Sequence, residues 1–240
     1  MKIGVCLLTN EINYLEEWLH HHRSYGFDYF FVYFDGGIPE NVTLYDDVTY
    51  NSWDCRNSPI QQMKCYEQCA RVNKDYDYIL FIDSDEYYMS NTGNVKQDVA
   101  NLIKKYGNFQ GLGIYWRMYG EPEPFFQERQ PIENYTKWHA NNHIKSLLDP
   151  KSTVLFKDPH KANLIPGRNY IDELGRKVIG PIGNHTSESI WIKHTWTRSK
   201  SEWETKVNRK GWYQFYNRKM EEFEDYNNKC TNVTHSNTSL

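Results

Sequence analysis

The 240-residue sequence lacks the features that define several classes of protein. Its formal net charge is only −3, from 28 basic and 31 acidic residues, so it has no excess charge to attract nucleic acid or an anionic membrane. The five cysteines are an odd number, and no second pair matches Cys65 and Cys69, which argues against a disulfide framework or a zinc ribbon. The first apolar run, Ile3–Leu8, is too short to span a membrane and lacks a signal-peptide cleavage pattern. We therefore expect a cytoplasmic protein with no membrane span and no nucleic-acid partner.

Aromatic residues are abundant instead. They form 16% of the chain and include 19 Tyr and 8 Trp, which supplies many flat surfaces that stack and form hydrogen bonds. The length suits one α/β domain, which we expect to cover residues 1–226. Residues 227–240 are polar and without periodicity, so they are predicted to be a tail or linker.

Strands and helices are predicted to alternate along the first half of the chain. Apolar and aromatic runs predict strands at Lys2–Leu8, Asp28–Phe34, Tyr78–Ile82 and Gly111–Tyr119. Helical spacing and capping residues predict helices at Ile12–Gly26, Ser58–Val72 and Asn94–Tyr106, with a loop from Asp35 to about Asn57. This order predicts a doubly wound, mostly parallel sheet that binds ligands at the C-terminal ends of its strands. Many prolines follow Tyr119 and predict an irregular C-terminal part, before a capped helix that begins near Ser199.

The predicted strand Tyr78–Ile82 runs directly into Asp83, Asp85 and Glu86. Residues two apart on an extended chain face the same side, so Asp83 and Asp85 are predicted to converge on one divalent cation, with Ser84 facing away. A lone Asp-x-Asp is more often a capping or solvated turn. The buried strand in front of it favours the metal site.

Several motifs, in the same order, resemble the GT-A glycosyltransferases, in particular families 2 and 92, over most of residues 1–211. The matching residues are Thr9-Asn10-Glu11 with Tyr14-Leu15-Glu16-Glu17-Trp18 and His22, Gln62 with Tyr66 and Cys69, Asp83-Ser84-Asp85-Glu86-Tyr87, Trp116-Arg117 with Tyr119-Gly120, His143-Ile144-Lys145-Ser146 with Pro150, and the segment from Lys193 to Gly211. Two departures stand out. Thr9 replaces a common lysine, and Glu121-Pro122-Glu123-Pro124 replaces small residues.

The resemblance implies the GT-A fold and a hexosyltransferase. Such an enzyme moves a hexose or deoxyhexose from a nucleotide-diphosphate sugar, which we expect to be UDP-linked, to a glycan or glycoprotein acceptor. Residues 1–120 would be the nucleotide-binding half and residues 121–226 the acceptor side. The resemblance further implies that Asp83, Asp85 and His194 bind Mn²⁺ or Mg²⁺, and an imidazole among carboxylates suits Mn²⁺ better.

Other side chains are predicted to complete this site. The resemblance and the strand ends place the donor against Thr9, Asn10, Glu11, Asp35, Gln62, Asp83 and Ser84. Lys200 and Arg209 are predicted to contact the diphosphate, in preference to Arg198 and Lys206. Asp85 is the predicted catalytic carboxylate, and the acceptor base is sought at Glu121, Glu123 or Asp149. Trp116 and Trp138 are candidate sugar platforms or packing residues. The run His20-His21-His22 is expected at the surface, because consecutive helical residues diverge.

Two other functions stay open at the level of sequence. Clustered carboxylates also serve metal-dependent phosphoryl transfer or phosphodiester cleavage, but no P-loop pattern and no further His/Asp pairing at metal-ligand spacing accompany them here. A catalytically silent module that binds a sugar nucleotide or a glycan would carry the same aromatic residues and the same metal. Product release on adding a donor and mixed acceptors separates that module from an enzyme.

Overall fold

The computed structural model describes residues 1–55, 58, 60–121, 130–208 and 218–233 of the chain. The strands in these ranges are β1 (Ile3–Thr9), β2 (Tyr29–Asp35), β3 (Val48–Trp53), β4 (Tyr78–Ile82), β5 (Glu86–Ser90), β6 (Gly111–Tyr119), β7 (Lys137–Leu148), β8 (Thr153–Phe156), β9 (Ala162–Leu164), β10 (Tyr170–Ile171), β11 (Ile190–His194) and β12 (Asn232–Val233). The α-helices are α1 (Leu15–Ser24), α2 (Ile60–Val72), α3 (Val95–Tyr106), α4 (Lys200–Asn208) and α5 (Glu221–Lys229). None of these helices is long and apolar enough to cross a membrane.

One mixed sheet dominates the described part of the chain. Its main path has the order β3-β2-β1-β4-β7-β6-β11-β5, with β10 added to β6 and β12 added to β7. The first four strands of this path are parallel. Strand β7 runs antiparallel to both β4 and β6, and β11 runs parallel to β6 but antiparallel to β5. The α/β class is therefore confirmed. The sheet is mixed rather than plainly parallel, because the chain returns through β7 between β4 and β6.

Helices cover both faces of this sheet. Side chains alternate between the faces along a strand. Thus Ile3, Val5 and Leu7 of β1 pack into a core with residues of α1 and α3, whereas Cys6 and Leu8 pack into a second core with residues of α2. The five cysteines are free and buried.

Three segments differ from their sequence-based predictions. The predicted loop after Asp35 contains β3, which pairs with β2. The predicted tail begins too early, because α5 extends to Lys229 and β12 pairs with β7, so Asn227 and Cys230 are buried parts of the fold. His22 is fully buried rather than at the surface. Its Nδ1 lies 2.8 Å from the carbonyl of Trp18.

Helix α3 has a well-formed N-terminal cap that can be tested directly. The Asn94 side-chain oxygen accepts hydrogen bonds from the backbone N–H groups of Lys96 and Gln97, at 3.0 and 3.1 Å. Asn94→Ala is expected to lower the free energy of unfolding by about 1 kcal/mol, because both donors lose their partner. Urea denaturation measures the loss, and Asn101→Ala at an exposed position of α3 is the control. Equal stability of the Asn94 and Asn101 variants would contradict a stabilising cap.

Candidate active site

A cavity of about 230 Å³ opens at the C-terminal ends of β1, β2 and β4. This is the edge at which open α/β sheets bind ligands. It is lined by Leu8, Thr9, Asn10, Glu11, Asp35, Cys55, Gln62, Asp83, Ser84, Asp85, Trp116, His194, Trp196, Lys206 and Arg218. Most of the side chains predicted from sequence to bind a donor or a metal therefore lie around one cavity.

Residues 83–85 form a turn rather than a continuation of β4. The backbone N–H of Glu86 donates to the carbonyl of Asp83 at 3.2 Å, and the Glu86 carboxylate accepts from the backbone N–H of Asp83 at 2.8 Å. The expectation that Asp83 and Asp85 face the same side assumed an extended chain, so it does not apply here. Both carboxylates line the cavity, but each has its own set of partners.

The Asp83 carboxylate is held by three donors. Its Oδ1 accepts from Gln62 Nε2 at 2.7 Å and from the Tyr66 hydroxyl at 3.1 Å, and its Oδ2 lies 2.6 Å from Lys145 Nζ. Lys145 is fully buried and also lies 3.2 Å from Glu86 Oε2. Burial by itself lowers the pKa of Lys145, but Asp83 and Glu86 outweigh it and hold the pKa above its ordinary value. Lys145 therefore remains a cation behind the cavity wall.

The Asp85 carboxylate faces a different group of side chains. Its Oδ1 lies 3.4 Å from His194 Nε2 and its Oδ2 lies 3.1 Å from Lys206 Nζ. Burial alone raises the pKa of Asp85, but Lys206 and His194 outweigh it, and the pKa lies well below its usual value. Asp85 is therefore ionised at neutral pH.

Strand β11 brings His194 to this position. It lies between β5 and β6, where His194 pairs in register with Glu86 on one side and with Met118 on the other. The second ring nitrogen of His194, Nδ1, is 3.8 Å from Glu86 Oε1. The imidazole thus has a carboxylate on each side, and Asp85 is the one that faces the cavity.

Asp85 and His194 suit a divalent cation. Two ligands that bind one octahedral ion at about 2.1 Å are about 3 Å apart when they are adjacent. The separation of 3.4 Å between Asp85 and His194 is close to this value. Among the described residues, however, no three His, Cys, Asp or Glu side chains are grouped to hold a metal ion. The predicted set of three is not assembled, because Asp83 is held by Lys145, Gln62 and Tyr66.

Arg198 links the two loops that border the cavity. It is buried, has a φ of 54°, and forms an ion pair with Glu11. Its Nη2 lies 3.4 Å from Ser84 Oγ, and its guanidinium lies 4.1 Å from the centre of the Tyr14 ring. A non-glycine residue in this backbone region stores strain that neighbouring contacts must hold. Arg198 therefore fixes the loop after β1 against the turn after β4.

Of the two cations predicted to bind the diphosphate, only Lys200 is described, and the cations that line the cavity are Lys206 and Arg218. Lys206 lines the cavity beside Asp85, and Arg218 lines it too. Lys200, at the start of α4, does not line the cavity. Arg209 lies outside the described residues. Lys200 and Lys206 lie on the same helix, α4. The local sequence alone did not show which of the two lysines faces the cavity.

The two described candidates for the acceptor base, Asp149 and Glu121, do not line the cavity that contains Asp85 and His194. Asp149 accepts hydrogen bonds from the backbone N–H of Lys151 and from Ser152 Oγ, and it lines a separate cavity where β1 and β4 begin. Glu121 is buried next to Asn227 and does not line the site cavity. Glu123 lies outside the described residues. The position of Asp149 gives no support for a catalytic role.

A second cavity, of about 460 Å³, adjoins the first. The two share Trp116, His194, Trp196 and Arg218, and the second is also lined by Met118, His139, Asn141, His143, His160, Tyr226 and Lys229. Of the two tryptophans considered as sugar platforms, Trp116 therefore lies between both cavities. Trp138 instead packs 4.3 Å from the Arg117 guanidinium and lines neither cavity.

This arrangement agrees with a comparison to known protein families. The model of a family described as glycosyltransferase family 92 matches residues 2–232 and so covers both cavities. The protein is thus a glycosyltransferase by its sequence and by the family match. The chain belongs to glycosyltransferase family 92. A search of curated proteins gives no match.

Proposed function

We propose that the protein is a metal-dependent hexosyltransferase of GT-A fold. It would move a hexose or deoxyhexose from a nucleotide-diphosphate sugar, UDP-linked, to a hydroxyl group of a glycan or glycoprotein. The observation that carries this proposal is the first cavity, in which the Asp85–His194 pair shares one wall with the loop after β1 and the end of β2. The parallel strands β3-β2-β1-β4, with helices on both faces, support the GT-A assignment.

The nucleoside would bind over the ends of β1 and β2. Here the loops are held by their own hydrogen bonds: Thr9 Oγ1 accepts from the backbone N–H of Glu11 at 2.9 Å, and Asp35 Oδ1 accepts from that of Cys55 at 2.9 Å. Asn10 lies between Thr9 and Glu11 on the cavity wall. Backbone amides and a carboxylate at this position can pair with the donors and acceptors of a uracil edge.

Asp85 and His194 would hold the metal ion, which as a Lewis acid stabilises the charge on the departing diphosphate. Lys206 can release Asp85 and remain hydrogen-bonded, because its Nζ also donates to the carbonyl of Trp196 at 2.6 Å. Lys206 and Arg218 then supply positive charge toward the same diphosphate. Asp83 orients the neighbouring wall through Gln62 and Lys145.

The acceptor would enter through the second cavity. Its indole, phenol and imidazole rings offer the flat faces against which sugar rings pack. The cavity joins the donor cavity along Trp116 and His194, so a hydroxyl bound there approaches the donor sugar from the side of β6 and β7.

Uridine diphosphate is expected to stabilise the fold only when a divalent ion is present. The ion neutralises Asp85 and the diphosphate together. At ~100 times its dissociation constant the ligand adds about 2.7 kcal/mol to the free energy of unfolding. Thermal unfolding with uridine diphosphate, with Mn²⁺ or Mg²⁺ and with each combination measures this effect. Guanosine and adenosine diphosphates are the nucleotide controls. Equal stabilisation in excess chelator would rule out a metal-bridged donor.

Transfer itself is tested with a panel of UDP-hexoses and a mixed set of saccharide acceptors. A glycosyltransferase releases uridine diphosphate and extends an acceptor. A silent binding module shows the ion-dependent stabilisation without either product. A phosphoryl-transfer or phosphodiester-cleaving enzyme instead breaks the diphosphate bond of the UDP-hexose and gives uridine monophosphate and a hexose phosphate, without a new glycosidic bond. The exposed Asp46→Asn variant is the control for nonspecific effects of a lost carboxylate.

A further inference from the structure

The wall of the second cavity carries an imidazole close to the Asp85–His194 pair. The ring centre of Trp116 is 4.5 Å from that of His194 and 5.1 Å from that of His143, with which it is stacked at an interplanar angle of 27°. His143 is therefore one indole ring away from the pair that would hold the ion, on the side where the acceptor would bind. A hydroxyl group in this cavity can approach both His143 and the donor.

The hydrogen bonds of Asn141 determine where the neutral His143 ring carries its proton. Asn141 Oδ1 lies 2.9 Å from the backbone N of His143 and 2.9 Å from His143 Nδ1. The backbone N–H can only donate, so the side-chain atom of Asn141 that faces it is the carbonyl oxygen. That oxygen can only accept, so Nδ1 carries the proton. In the neutral ring, Nε2 is then the nitrogen with the free lone pair, as a proton acceptor requires.

Two other imidazoles on this wall are less suited to accept a proton. Burial lowers the pKa of His160 to about 3, and its Nδ1 is buried without a hydrogen-bond partner in the described structure. His139 Nε2 is likewise buried and without a described partner, while its Nδ1 lies 3.1 Å from the carbonyl of Ala140. Neither ring presents a basic lone pair to the cavity, whereas His143 is only half-buried.

Burial, together with nearby charges, lowers the pKa of His143 and keeps its ring neutral at physiological pH. Burial lowers the pKa of His143, Asp158 opposes this effect, and His194 and Lys145 lower the pKa further. The ring of His160 also faces it, at 5.2 Å between centres. A general base must be unprotonated before it accepts a proton. The neutral imidazole that the protein favours at His143 is therefore the form that the reaction requires.

We propose that His143 is the general base that activates the acceptor hydroxyl, with Asn141 as the residue that positions it; this rests on the proposed transferase function. The acceptor oxygen forms a bond to the anomeric carbon of the donor sugar while the bond from that carbon to the diphosphate oxygen breaks. The electron pair of the broken bond leaves with the diphosphate, and the hydroxyl proton passes to His143 Nε2. A single displacement of this kind inverts the configuration at the anomeric carbon.

His143→Gln tests the proposal with the UDP-hexose and the saccharide acceptor that the panel above identifies. The turnover number is expected to fall about 10²- to 10³-fold. The donor KM and the stabilisation by uridine diphosphate with Mn²⁺ should not change, because His143 lies outside the donor cavity. The turnover of the native protein should fall as pH drops through the pKa of His143, and the variant should lack this acid limb.

Asn141→Ala should reduce turnover about tenfold, because Nδ1 is no longer fixed as the protonated nitrogen. The exposed His20→Gln variant is the control.

Four results would overturn the role of His143 while leaving the transferase function standing. The first three are native-like turnover in His143→Gln, an acid limb that persists in the variant, and an effect confined to the acceptor KM. Retention of the donor configuration in the product would also overturn it. Failure of the native protein to bind donor or to form any product would instead refute the proposed function itself.

Discussion

Asp85→Asn is expected to reduce glycosyl transfer by on the order of a thousand-fold. The amide keeps the volume of the side chain but removes the negative charge that would bind a divalent ion together with His194. Electrostatic stabilisation of the transition state by such groups is usually the largest contribution to catalysis. Single-turnover transfer at saturating donor measures the effect, with Asp46→Asn as the matched carboxylate control. Turnover near that of the native protein would remove Asp85 from the metal site.

Asp85→Asn is also expected to lower the stability of the fold. The sequence pattern alone would predict the opposite, a gain in stability. Three nearby carboxylates suggest that one fewer charge relieves repulsion. In the structure, Asp85 instead lies 3.1 Å from Lys206, whose side chain is only 10% exposed. Removing one partner of such a pair leaves an uncompensated charge, so Asp85→Asn is expected to lower the free energy of unfolding by about 2 kcal/mol, below the range for fully buried pairs.

The pH dependence of this loss follows from the lowered pKa of Asp85. A carboxyl group with a lower pKa in the folded state stabilises the fold above its unfolded pKa of about 3.9, and that stabilisation disappears as pH falls through the folded pKa. The difference in stability between the native protein and Asp85→Asn should therefore be full at pH 7 and shrink below about pH 4. Urea denaturation across this range provides the measurement, and a difference that does not vary with pH would contradict the ion pair.

Lys145→Met is expected to produce the largest loss of stability, about 3 to 5 kcal/mol, because it leaves a fully buried carboxylate without its cation. Lys145 and Glu86 are both fully buried, at a distance of 3.2 Å. The double variant Lys145→Met/Glu86→Gln should recover part of the loss, and Lys157→Met at an exposed position is the control. If the double variant is as unstable as the single one, Glu86 is not the group that requires Lys145.

The burial of Glu86 determines the pH at which the Lys145→Met variant loses most stability relative to the native protein. It raises the pKa of Glu86 to about 7, although Lys145 opposes the shift. A carboxyl group whose pKa is higher in the folded state destabilises the fold as pH rises from its unfolded pKa through its folded one. Without Lys145 this penalty grows, so the variant should be closest to the native protein near pH 5.5 and furthest from it near pH 8.

The sequence predicts strands β1, β2, β4 and β6 well because buried strands appear as uninterrupted apolar runs. Strands β4 and β6 have the predicted bounds. Strand β7 was missed because only its second half is buried, while its first half is partly exposed and polar, so it lacks both an apolar run and a regular alternation. The direction of β7 then changes the sheet from parallel to mixed.

The site is less predictable than the fold. Asp85 and His194 could be identified as candidate site residues from sequence because both occur in recognisable local motifs. The partners of Asp83 lie on α2 and β7, so local sequence could not show that Lys145 holds this carboxylate. The lysine that faces the cavity, Lys206, depends on the orientation of α4 against the sheet. His143 lies in a motif that resembles the family, but the motif does not distinguish it as a base, because the cavity that it lines is formed by distant parts of the chain.

The position of β11 between β5 and β6 also affects when the site can form during folding. The backbone N–H of Thr195 donates to the carbonyl of Asp85, 110 positions earlier in the chain. Contacts of such long sequence separation carry a large loop-closure cost and tend to slow folding. On the ribosome, β1 to β6 emerge before β11, so β5 must wait for a partner that is synthesised much later. Assembly of the Asp85–His194 pair is therefore expected to be a late event, after the parallel half has begun to fold.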